Sequence, residues 1–118
     1  MNNLALQRSQ PEVGAYTSAR LSGENQRFHG TGGVSPNNRN QGFRPAFLDS
    51  ATGRVYASRF ANGTPAPLHL LDGLPEDIVI RRNAEGAIIA VKETIIAGFV
   101  FLQKFYTREQ AAEIMAAQ

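Results

Sequence analysis

A chain of 118 residues with a hydrophobic fraction of 42%, a net charge of +2 and no cysteine has room for one small domain and holds it without disulfides. The missing cysteines exclude thiolate chemistry and Cys-based zinc sites, and they favour a reducing compartment. The start "MNNLALQRSQPEVG" has no apolar h-region and the chain has no membrane-length apolar run, so a cytoplasmic protein away from membranes is expected; Asn62-Gly63-Thr64 then reads as a chance sequon.

The charge is uneven. Residues 1–44 carry five arginines against Glu12 and Glu24, a net +3, whereas residues 45–118 are net −1. From Met1 to Gln41 no apolar period of 2 or 3.6 is sustained, and Asn, Gln, Ser and Gly dominate up to "HGTGGVSPNNRNQG". That composition predicts a disordered or loosely attached polar tail over 1–41, followed by a small domain over 42–118.

Within that domain, "FRPAFLD" and "RVYASRF" flank "SATG" with Gly53 placed for a left-handed turn, which predicts a hairpin. Phe47, Tyr56 and Phe60 are candidates for its core. In "ANGTPAPLHLLDGLPED", Pro65, Pro67 and Pro75 predict an extended connection. "DIVIRR" and "AIIAVKE" pair through "NAEG" as a second hairpin, and "TIIAGFVFLQKFYT" supplies a fifth strand, bent or bulged at Gly98. "TREQAAEIMAAQ" is a helix with Thr107 as N-cap and Gln110 completing a capping box. The expected fold is α+β: a four- or five-stranded antiparallel sheet of two hairpins plus a fifth strand, with one C-terminal helix. A small SH3-like barrel is the alternative arrangement of the same strands.

Catalytic signals are weak. Ser58, His69 and Asp72 supply the residue types of a hydrolytic triad, but such sites are defined by geometry, and His69 among leucines reads as a histidine bonded to backbone. Asp72, Glu76 and Asp77 lack the spacing of a calcium loop, and "GTGG" lacks the lysine, strand and helix of a phosphate loop. No enzyme activity, metal or cofactor is expected. Two features point to binding. Arg44, Arg54 and Arg59 lie among the aromatics of the first hairpin, with Arg81 and Arg82 in the second. In "GFVFLQ", Phe99, Val100, Phe101 and Leu102 are consecutive, so both faces of that strand are apolar. Either the C-terminal helix covers one and the core the other, or one is an interface for a partner or a second copy of the chain, the reading favoured by so short and small-residued a helix.

The stretches "RPAFLDSATGRVYASRFANGTPAPLHLLDGLP" and "GFVFLQKFYTREQAA" resemble a group of small uncharacterised bacterial proteins, often carried by mobile elements of proteobacteria, over roughly residues 43–113. The resemblance implies a compact domain with a hairpin and a terminal helix. It carries no assigned activity, so no functional residue transfers with it. The group has a glycine-containing polar turn before its Phe-Tyr-Thr-Arg-Glu motif; here "VFLQK" has none, which argues against a tight turn before Lys104. Residence on mobile DNA implies accessory factors or inhibitors of host defence, such as anti-CRISPR proteins. A non-catalytic protein-binding module is therefore the first expectation, with Arg44, Arg54, Arg59, Arg81, Arg82, Phe99 and Phe101 as candidate contacts. A nucleic-acid-binding accessory protein using the same arginines is the second.

Overall fold

The structure is a computed structural model that describes residues 14–118. Its elements run β1 (Ala15–Thr17), α1 (Ser18–Arg27), α2 (Ser35–Asn38), β2 (Arg44–Asp49), β3 (Val55–Ala57), β4 (Val79–Arg82), β5 (Ile88–Lys92), β6 (Ile95–Phe101), β7 (Lys104–Thr107) and α3 (Arg108–Ala116). The fold is α+β with antiparallel strands and a C-terminal helix. The strands divide into two sheets, in the orders β1-β5-β4 and β3-β2-β6-β7, and not into one sheet or a closed barrel. Both predicted hairpins form, each with its glycine left-handed at the turn, Gly53 at φ 79° and Gly86 at φ 89°.

The core lies between the sheets. Phe47, Ile95 and Ala97 from the larger sheet meet Ile88 and Val91 from the smaller one, with Leu71, Leu74 and Ile78 from the connecting segment filling the rest. Of the three core candidates in the first hairpin, Phe47 is fully buried and Tyr56 packs at the margin, while Phe60 is exposed. A second cluster, Phe43, Phe99 and Ala111, seats α3 against the end of the larger sheet. The helix starts as its sequence dictates: the Thr107 hydroxyl accepts from Gln110 N at 3.1 Å and the Gln110 side chain accepts from Thr107 N at 2.9 Å.

Pro45 occupies a central strand, a position that proline normally avoids because it cannot donate to the ladder. Its carbonyl accepts from Ser58 N at 2.9 Å, but it has no N–H to return to the Ser58 carbonyl. That carbonyl is satisfied instead by Ala66 N at 3.0 Å. The missing donor of Pro45 thus lets the chain after β3 fold back, and the Ser58 hydroxyl fixes it there, donating to Leu68 O at 2.8 Å and accepting from Leu70 N at 2.8 Å.

Two expectations are corrected. The expected single fifth strand is two strands, β6 and β7, with no break of register at Gly98. Gly98 is needed for another reason: a Cβ there would lie 2.4 Å from the Phe105 ring, which covers it from the next strand. The tight turn between the strands is built by Leu102 at φ 51° and Gln103 at φ 69°, despite the absence of glycine. The second correction concerns the polar tail. Residues 1–13 of it lie outside the described residues, but residues 14–41 are integral to the fold. Ala15–Thr17 pairs with β5, Tyr16 is buried in the main core, and Leu21, Phe28 and Val34 are buried with it or beside α3. The "GTGG" segment packs against α3, where a Cβ on Gly33 would meet the Phe28 ring at 2.7 Å and Arg108 O at 3.0 Å.

Candidate functional site

The candidate arginines separate in space. Arg82 is bound within its own hairpin, donating to Gly86 O and pairing with Glu76 Oε1 at 2.5 Å. It and Arg81 belong to β4 in the smaller sheet, and Arg54 stands at the β2–β3 turn. Arg44 and Arg59 do come together, because alternation along a hairpin with the register Ala46↔Ala57 puts both on the outer face of the larger sheet. Arg39, which the sequence placed in the tail, joins them. These three arginines line a groove of about 600 Å³ together with the apolar residues Phe43, Pro45, Ala57, Pro65, Ala66 and Pro67. Arg59 Nη1 donates to Gly63 O at 2.9 Å and Arg39 Nε lies 3.5 Å from Ser35 O. Among the described residues none of the three has a carboxylate within ion-pair distance, and no acidic residue lines the groove.

The strand expected to expose apolar surface does so on one face only. Ile95, Ala97 and Phe99 point into the core, and Phe99 is fully buried. It is therefore not a contact residue. Phe101 is half-buried and stacks on Phe43 at a centroid distance of 4.4 Å, beside Tyr106. On the opposite face the register aligns Val55, Leu48 and Ile96 in one row across three strands. Val55 is 44% exposed and Ile96 37% exposed. At the end of β6, Leu102 is 81% exposed on the tight turn.

A third feature has no counterpart in the sequence reading. Arg108, the first residue of α3, is buried at the junction of the N-terminal segment and the larger sheet. Its Nη1 donates to Gly33 O at 2.9 Å, and its Nη2 donates to Asn25 Oδ1 at 2.5 Å and reaches His69 Nδ1 at 3.3 Å. His69 Nε2 lies 2.7 Å from Gly98 O, which can only accept, so Nε2 carries the proton and Nδ1 is left to accept from Arg108. The imidazole is thus neutral, its pKa pushed down to about 3 by burial and by the charge of Arg108. Glu24 completes the group: it accepts from Tyr16 OH at 2.6 Å and lies 3.8 Å from Arg108 Nε and 3.5 Å from Arg20 Nε. Burial raises the Tyr16 pKa above its ordinary value and lowers that of Arg108.

These contacts leave Ser58, His69 and Asp72 unassembled as a nucleophile–base–acid set. The Ser58 hydroxyl and both His69 nitrogens are engaged elsewhere, and Asp72 is exposed. Among the described residues no three His, Asp or Glu side chains are placed to share a metal ion, and no helix is long and apolar enough to cross a membrane. Comparison with family models, with curated proteins and with solved structures returns no match.

Proposed function

We propose that the protein is a non-catalytic protein-binding accessory module, which acts by covering a surface of a larger partner in the manner of an inhibitor of host defence. One observation carries this reading: the outer face of the larger sheet has an apolar row, Val55–Leu48–Ile96, exposed at both ends and half-buried at Leu48, beside the arginine groove. Apolar side chains aligned on an open sheet face add nothing to the core and gain most when another protein covers them. A nucleic-acid ligand is served less well. Phosphate contacts need a track of cations, whereas Arg54, Arg81 and Arg82 lie away from Arg44 and Arg59, and Arg82 is already paired with Glu76.

The test is a pull-down from host lysate treated with nuclease, comparing the full chain with a Val55→Thr/Ile96→Thr variant. Threonine keeps the strand propensity and removes apolar area, so the melting temperature should hold. The expected result is one protein retained by the parent through a high-salt wash and lost by the variant. Recovery that disappears with nuclease refutes the reading. Sedimentation of the protein alone tells whether that partner is a second copy of the chain.

A further inference from the structure

The geometry points to a definite occupant for the arginine groove: an extended acidic segment of a protein partner, its carboxylates held by Arg39, Arg44 and Arg59 and an apolar side chain resting on the proline-rich lining. This deepens the protein-binding reading and rests on it. The argument begins with charge. Three arginines line one groove and, among the described residues, no carboxylate pairs with them, so the groove carries positive charge that an anionic ligand offsets as it binds. The Arg44 side chain has no hydrogen bond or ion pair among the described residues, which leaves its fork open to a carboxylate.

The apolar lining narrows the ligand further. Pro45, Pro65 and Pro67 have no N–H to offer, and the N–H groups of Gly42, Ser58 and Ala66 are bonded to Arg39 O, Pro45 O and Ser58 O, so the donors that select a ligand here are mainly side chains. A ligand recognised through side-chain cations beside an apolar lining carries carboxylates and apolar groups in alternation, which an extended peptide supplies on one edge. A bare phosphate leaves the lining of Phe43, Ala57 and Ala66 unused. A nucleic acid strand needs its cations continued beyond the groove, but Lys104 stands two strands from Arg44 over the Tyr106 ring, Arg54 sits at the β2–β3 turn and Arg82 belongs to the other sheet.

The test is fluorescence anisotropy with three labelled probes: a short peptide of alternating glutamate and leucine, the same peptide with glutamine for glutamate, and an oligothymidylate of equal length. The expected result is saturable binding of the acidic peptide, weakened about tenfold or more in the glutamine peptide. Arg44→Ala should weaken it about fivefold, the upper range for one exposed ion pair. Among the described residues the Arg44 side chain holds no hydrogen bond or ion pair, whereas Arg59→Ala also releases Gly63 O, so Arg44→Ala is the cleaner variant. Charge reversal, Arg44→Glu, should abolish measurable binding, with an unchanged circular dichroism spectrum as the folding control. Equal affinity for the acidic and glutamine peptides, indifference to Arg44→Glu, or tighter binding of the oligothymidylate each overturns the proposal. The Val55→Thr/Ile96→Thr pull-down reads the other surface. A partner retained there while the acidic peptide fails to bind removes the groove assignment alone, and loss of both removes the binding-module reading as well.

Discussion

Replacing Arg108 with methionine keeps most of the side-chain volume and removes the charge and all donors, so it isolates what the buried guanidinium contributes. Its polar neighbours stay behind: Gly33 O loses its 2.9 Å bond, Asn25 Oδ1 its 2.5 Å bond, and His69 Nδ1 its donor in an apolar setting formed by Phe47 and Phe99. Glu24 keeps Tyr16 OH and Arg20, so its charge is not stranded. Hydrogen bonds to a charged group contribute about 1.5–3 kcal/mol each, but desolvating the guanidinium offsets part of that sum. So does placing a cation at the positive end of the α3 dipole. A net loss of about 3–4 kcal/mol follows, a large share of the roughly 5–15 kcal/mol available to a domain. Urea unfolding followed by circular dichroism measures it, and trypsin reports the consequence, since Arg20, Arg27 and Arg39 lie in the segment that Arg108 ties down. Arg108→Met should lose stability by that amount and be cut first within residues 14–41. A loss below about 1 kcal/mol refutes the reasoning, because it means that the cost of burying the charge cancels everything the charge holds.

Two further outcomes follow from single features. Leu102 and Gln103 occupy left-handed backbone that costs a non-glycine residue about 1 kcal/mol each, and Leu102 is 81% exposed, so little packing is at stake. Leu102→Asn with Gln103→Gly should therefore stabilise the fold by about 1 kcal/mol after the entropic cost of glycine, a rise of roughly 4 °C in thermal midpoint, and an unchanged or lower midpoint contradicts this account of the turn. His69 titrates at about 3 in the fold against 6.5 ordinarily, so the unfolded chain takes up its proton first as pH falls. The stability that His69 contributes is complete above about pH 6.5 and is lost down to about pH 3, with a slope approaching ~1.4 kcal/mol per pH unit. Asp49, its pKa lowered by the Thr94 hydroxyl and the Ala51 N–H, adds to the loss at the acid end. Urea midpoints across that range should flatten in His69→Gln, and an unaltered slope would place the acid sensitivity elsewhere.

The hairpins were legible because their chemistry is local: alternation on either side of a glycine turn fixes register, and register fixes which side chains share a face. The sequence grouped Arg54 with Arg44 and Arg59, and the observed register, with Ala46 opposite Ala57, is what pairs Arg44 with Arg59. The same parity argument, carried one strand further, sorts Phe99 with Ile95 and Ala97. What it cannot supply is which of two apolar faces the other sheet covers, and Phe99 was misjudged on that point. The β6–β7 turn was hidden because neither of its residues favours a left-handed conformation. Length was the available signal: "TIIAGFVFLQKFYT" exceeds the usual span of a strand in a domain this small, so an unbroken strand was already improbable.

The N-terminal segment was hidden for a different reason, and its attachment shows why composition misleads. Tyr16, Leu21, Phe28 and Val34 are its large buried apolar anchors, spaced five, seven and six residues apart, and only Leu21 and the C-cap Phe28, two turns apart on α1, share one local structure. A strand contributes the first, α1 and its C-cap the second and third, and a bend the last, so too few fall on one element for a periodicity to accumulate. The rest of the attachment is polar. Glu24, Asn25 and the Gly33 carbonyl meet an arginine 75 residues further along the chain than Gly33, and Asn38 Nδ2 holds Gly32 O at 2.7 Å. Asparagine, glycine and glutamate read as solvated tail when counted, yet here they are the groups that a buried guanidinium requires. The same docked segment leads into Arg39 at the rim of the groove. What the sequence offered as loosely attached polar chain therefore supplies one wall of the candidate site.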